Sequence, residues 1–224
     1  MRRLRSLASI VALALGLSAC ATAPAPDPSP TPQGTGPLVA FYGDSYTLGT
    51  GASDPSLRWS SVISADRGWR EFNPSVNGLG FVNHRSSFGE DDLPSLIIQS
   101  QPDVVFITMG LNDNFSYDRR ADLIRETITE DLRRMRDALP SVRIIVVEPF
   151  WYTETRPGSV EKIIGWVEDA ADEIGADWIP GASHWLDGHY AGSADSWMAA
   201  DGLHPSDTGY ERMDTALDRL DPPL

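Results

Sequence analysis

The sequence predicts an α/β domain built on a parallel sheet with helices on both faces. Two observations carry this. Several short segments are apolar on both faces, as strands buried from two sides must be, and longer segments between them repeat apolar residues at three- and four-residue steps. In chain order, residues 38–42 (Leu-Val-Ala-Phe-Tyr) form the first strand, closed by Gly43. Residues 71–77 are a weaker strand, interrupted by Pro74. Residues 103–108 (Asp-Val-Val-Phe-Ile-Thr) and 142–147 (Val-Arg-Ile-Ile-Val-Val) read like the first, and residues 176–179 form a short last strand. Between them, Ile124, Ile128, Leu132, Met135 and Leu139 line one helix face, which Pro140 stops. Ile163, Val167, Ala170 and Ile174 line a second, with Ser159 as the expected N-cap and Gly175 past its end. Tyr210, Met213, Leu217 and Leu220 line a third, capped by Ser206. In parallel sheets of this kind ligands bind at the carboxyl ends of the strands.

The folded part is expected to be one domain, residues 38–224, and a monomer. Residues 1–20 read as a leader: Arg2, Arg3 and Arg5 precede a short apolar stretch, and Leu17-Ser18-Ala19-Cys20 places small residues before the cysteine. The apolar stretch is shorter than the ~20 residues that span a bilayer. This pattern resembles a bacterial lipoprotein signal, with Cys20 the lipid-modified first residue of the mature chain. Cys20 is the only cysteine, which excludes a disulfide framework. Residues 21–37 hold six of the 17 prolines and read as an extended spacer. The implied location is extracytoplasmic, lipid-anchored to the cell membrane (or secreted, without lipidation), with the anchor as the sole membrane contact. The formal charge is −14, which argues against nucleic acid as a ligand and suits a neutral substrate.

The chemistry-bearing residues lie in turns at the strand ends. Gly43-Asp44-Ser45 follows the first strand and offers a hydroxyl nucleophile, although Asp and Ser in that place also suit a helix cap. Asp201-Gly202-Leu203-His204 offers an imidazole base and a carboxylate three residues earlier to orient it. Gly110-Leu111-Asn112-Asp113 follows the strand at 103–108, with the Asn112 amide a candidate oxyanion donor, and Asn77-Gly78-Leu79-Gly80 offers backbone N–H groups. His184 and His189 flank Asp187, but two histidines five residues apart are no specific metal pattern, and no metal is expected. Trp151, at the end of the strand at 142–147, and Trp197, before Asp201, are the expected aromatic walls of a substrate pocket.

These four blocks, in this order, resemble the SGNH, or GDSL, hydrolase superfamily over residues 38–220. The resemblance implies a three-layer α/β/α sandwich with a flavodoxin-like sheet and a serine esterase that needs no cofactor. It implies Ser45 as nucleophile, His204 as base, Asp201 as orienting acid, and an oxyanion hole from the N–H groups of Ser45 and Gly80 with the Asn112 side chain. Gly78 is the alternative backbone donor. The extracytoplasmic location favours small-molecule or saccharide esters as substrates, acetylated cell-envelope or environmental polysaccharides first, with short acyl esters or lysolipids next. An O-acyltransferase would use the same residues with a sugar hydroxyl in place of water, and a non-catalytic envelope-binding lipoprotein is the other alternative.

Overall fold

The computed structural model describes residues 35–88 and 91–220. Five strands form one sheet: β1 (Leu38–Gly43), β2 (Arg70–Phe72), β3 (Val104–Thr108), β4 (Arg143–Val147) and β5 (Asp177–Ile179). All four pairings are parallel, and the order is β2-β1-β3-β4-β5. The helices are α1 (Ser45–Leu48), α2 (Trp59–Asp66), α3 (Leu93–Gln99), α4 (Tyr117–Ala138), α5 (Gly158–Glu173) and α6 (Asp207–Arg219).

Alternation along the strands divides two cores. Val39, Phe41, Val104, Phe106, Ile145 and Val147 face one way and pack with Trp59 and Ile63 of α2 and Tyr210, Met213 and Leu217 of α6. Ala40, Tyr42, Val105, Ile107, Ile144 and Val146 face the other way, against residues of α3, α4 and α5. Because both faces of the sheet are covered, β3 has no polar alternation and reads as a continuous apolar run. This is the expected three-layer sandwich.

The strand order places the site. From β1 the chain moves outward to β2, then crosses back to β3 on the far side of β1. The carboxyl ends of β1 and β3 therefore open a crevice where the winding reverses, which is where ligands bind in doubly wound sheets.

Local expectations fare unevenly. The weak strand shortens to Arg70–Phe72 and ends before Pro74. Ser206 caps α6 as expected, its side chain accepting from Gly209 N, and Gly175 takes the left-handed backbone past α5 (φ +62°). Ser159 is not the N-cap of α5. Pro157 occupies that position, and the Ser159 hydroxyl donates to Asn114 Oδ1 instead. Leu220 lies beyond the end of α6 and is exposed, so its stripe ends at Leu217. The leader, Cys20 and nearly all of the proline-rich spacer lie outside the described residues.

Candidate active site

The nucleophile turn is built around the missing side chain of Gly43. A Cβ there would lie 2.4 Å from the Thr47 side chain and 2.6 Å from Thr108 Oγ1, so only glycine lets β1 turn into α1. Asp44 caps α1, its Oδ1 accepting from Tyr46 N at 3.0 Å, so the capping reading of this turn holds for the aspartate. Ser45 is the first residue of the helix, nearly buried, and lines a pocket of about 220 Å³ at the strand ends. As the first helical residue its N–H has no intrahelical acceptor.

The base turn is equally defined. His204 Nδ1 lies 2.7 Å from Asp201 Oδ2, while Asp201 Oδ1 accepts from Leu203 N and His204 N at 2.9 and 3.0 Å. Gly202, at φ +67°, provides the left-handed residue that closes this loop. Partial burial favours the neutral Asp201, but hydrogen bonds from the His204 ring and the two N–H groups overcome it and hold the carboxyl at about 2. The carboxylate thus occupies Nδ1 and leaves Nε2 for a reacting hydroxyl. His204 lines the same pocket as Ser45.

Asn112 comes from the 3₁₀ turn Leu111–Ser116 after β3. Its Nδ2 donates to Asp44 Oδ2 at 3.1 Å and to Leu79 O at 2.9 Å, so one amide ties three of the four sequence blocks together. Burial pushes the Asp44 carboxyl up to about 7; the Tyr46 N–H works against that rise, and the charge of Asp113 adds to it.

Asp113, next in the chain, points under the glycine block. Its carboxylate accepts from Phe81 N at 2.7 Å, Val82 N at 2.9 Å and Asn83 N at 3.4 Å. Burial nonetheless raises this carboxyl above its ordinary value. Arg85 anchors the other end of the loop through both nitrogens to the buried Asp131 of α4, at 2.6 and 2.7 Å.

These contacts correct one expected role. Gly80 N–H is engaged, donating to Asn83 O at 2.9 Å, and Gly80 does not line the pocket. A Cβ on Gly80 would meet both Asp113 carboxylate oxygens at 2.6 Å, so this glycine makes room for Asp113 rather than for a ligand. Gly78, at φ +73°, lines the pocket in its place.

The aromatic walls are also different from those expected. Trp151 is buried in the core, its Nε1 donating to Thr153 Oγ1 and Thr155 O. Trp197 is stacked on His189 (3.4 Å between centroids, 3° between planes), with the Arg212 guanidinium 5.3 Å from its centroid. Neither lines the pocket. Tyr46, Leu111, Phe115 and Leu203 do, with Phe115 57% exposed at the mouth. Both aromatics had a sequence signal. Tyr46 follows Ser45, and Phe115 lies three residues after Asn112, the spacing that aligns side chains on a 3₁₀ turn.

His184 and Asp187 do meet, Nδ1 to Oδ2 at 2.8 Å, but the Arg156 guanidinium sits on both, 2.6 Å from Asp187 Oδ1. A fixed cation already fills that place. Among the described residues no group of three or more His, Cys, Asp or Glu side chains is arranged to hold a metal ion.

Comparisons with known proteins point to one family. The model of the GDSL-like Lipase/Acylhydrolase family matches residues 41–212. The GDSL lipase Rv0518 of Mycobacterium tuberculosis is 27% identical over 182 residues, covering 77% of this chain and 76% of that protein. The crystal structure of TesA superposes with a TM-score of 0.65 at 21% identity, covering 84% of this chain and 99% of its own. The psychrotrophic esterase EstA from Pseudoalteromonas sp., solved with monoethylphosphonate as inhibitor, superposes with a TM-score of 0.62 at 16% identity, over 81% and 94% of the two chains. At these identities the two structures speak for the fold.

Proposed function

Because the chain belongs to the GDSL-like lipase/acylhydrolase family and is a hydrolase, we propose that it cleaves short-chain carboxylic esters in two steps through Ser45. The observation that carries this reading is the meeting of Ser45, Asn112 and His204 around one pocket, with Nδ1 of the histidine held by Asp201. His204 Nε2 takes the hydroxyl proton as Ser45 Oγ attacks the acyl carbon. The Ser45 N–H and the Gly78 N–H stabilise the oxyanion, joined by Asn112 Nδ2 as it exchanges its longer bond, to Asp44 Oδ2, for the developing charge, and His204 returns the proton to the departing alcohol. Water, deprotonated by the same nitrogen, then releases the acid. Nothing in these steps calls on a metal or organic cofactor.

A short acyl side suits the apolar lining from Leu111, Phe115 and Leu203 in a pocket of about 220 Å³. The alcohol side, by the same proposal, is a small molecule or an acetylated saccharide met outside the cytoplasm. Anchorage through Cys20 belongs to this reading, and a diacylated Cys20 peptide in the membrane fraction is its expected sign. A mature chain with an unmodified N-terminus elsewhere would sink the anchorage alone.

The test is turnover of 4-nitrophenyl esters of increasing acyl length by wild type and Ser45→Ala. Acetate and butyrate should exceed dodecanoate, and Ser45→Ala should lose at least about 10³-fold in kcat. Undiminished turnover by Ser45→Ala would remove the serine from the mechanism.

A further inference from the structure

We propose that Tyr46 is a positioning residue that sets the base turn against the nucleophile turn, a role that rests on the esterase reading above. Tyr46 follows Ser45 directly, and its hydroxyl donates to Leu203 O, the carbonyl directly before His204, at 2.7 Å. One side chain therefore joins two catalytic turns that lie 157 residues apart in the chain.

The strut is stiff at both ends. At its base, Tyr46 N–H is held by the Asp44 carboxylate. Along its length, the ring stacks on Phe150 (5.6 Å, 19°) and lies against the His204 ring (5.9 Å, 50°). The residue is 1% exposed, so a hydroxyl that leaves Leu203 has little solvent to replace that bond.

The fold does not need this bond to bring α6 to the site. Two other ties do that: Ser53 N and Oγ donate to the Asp207 carboxylate at 2.7 and 2.6 Å, and Tyr210 OH donates to Thr50 O at 2.7 Å. Those contacts reach α6 beyond the base turn. Of these three ties, the Tyr46 bond is the one that reaches the peptide leading into His204, where a small rotation moves Nε2 relative to Ser45 Oγ. Removing the hydroxyl should therefore cost rate rather than substrate affinity.

The experiment compares wild type, Tyr46→Phe and Tyr42→Phe. Tyr42 also buries a hydrogen-bonded hydroxyl, to Asp131 Oδ2 at 2.8 Å, but on the opposite face of the sheet, and so controls for general loosening. The readings are the rate at which diethyl 4-nitrophenyl phosphate modifies Ser45, kcat and KM for 4-nitrophenyl butyrate, and Tm. Tyr46→Phe should slow both the labelling and kcat about tenfold, less than the roughly hundredfold a 1 Å misplacement costs, with KM within about twofold. Tyr42→Phe should lower Tm at least as much while keeping wild-type labelling and kcat. Phe150→Leu, which keeps the hydroxyl but removes the ring it stacks on, should slow labelling in the same direction, and it carries the test if Tyr46→Phe does not fold. Labelling of Tyr46→Phe at the wild-type rate would overturn the proposal. So would equal slowing in Tyr42→Phe, or wild-type labelling of Phe150→Leu beside an unfolded Tyr46→Phe. Wild type that neither labels at Ser45 nor turns over would instead overturn the esterase reading beneath it.

Discussion

Asp44 should make this protein less stable as the solution is brought from acid to neutral pH, and Asp44→Asn should remove that slope. The carboxyl is 1% exposed, and burial lifts it from 3.8 to about 7 despite the Tyr46 N–H bound to it. A group whose folded value is raised binds its proton more tightly when folded than when unfolded. Its contribution is complete below about pH 4 and is lost as pH rises through about 7. The interval from 3.8 to about 7 corresponds to ~4 kcal/mol. Asparagine has no proton to lose, and its amide oxygen can still accept from Tyr46 N. The assay is urea denaturation of both proteins from about pH 4.5 to about pH 8, read as the stability of wild type minus that of the variant. That difference should fall by ~3 kcal/mol across the range, with most of the fall between pH 5 and pH 7. Carboxylates held low, such as Asp92 and Asp201, act on both proteins and cancel. A difference that stays flat with pH would refute the buried, proton-holding Asp44.

Two further substitutions separate the site's chemistry from its scaffold. Asn112→Ala should lower kcat about 10²- to 10³-fold with a small change in KM, measured on 4-nitrophenyl butyrate, because the proposed mechanism uses its amide as an oxyanion donor. Gly80→Ala should lower stability by ~1–3 kcal/mol in urea titration, because its methyl group meets the Asp113 carboxylate at 2.6 Å while three N–H groups hold that carboxylate in place.

What was legible in the sequence follows from the range over which each feature is decided. Strands buried on both faces show themselves in a few consecutive residues, so Val104–Thr108 and its neighbours could be read directly. The turns that carry Ser45, Asn112, and Asp201 with His204 each span no more than four residues and are equally local, and the structure places these side chains on the expected turns. The short helix α2 begins at Trp59 in a serine-containing stretch with no clear apolar stripe, and it forms by packing against α6. Helix α3 did leave a signal, the Asp92 cap with Pro94 just inside the helix. The Gly78–Gly80 choice was not local at all. It depends on which N–H is already bound, and that is settled by Asn83 and by Asp113, which arrives from β3. An aromatic residue at a strand end carries no direction either: Trp151 turns into the core, while Tyr46 faces the pocket.

The central claim, that Ser45 carries the acyl group, is tested most directly by acid-quenching wild type in mid-turnover with an activated short-chain ester and mapping the modified peptide by mass spectrometry. One acyl group should appear on the peptide containing Ser45, accumulating when the ester is cleaved faster than the acyl-enzyme is hydrolysed, and should be absent from Ser45→Ala. Steady turnover with the acyl group on another residue, or retained by Ser45→Ala, would contradict it.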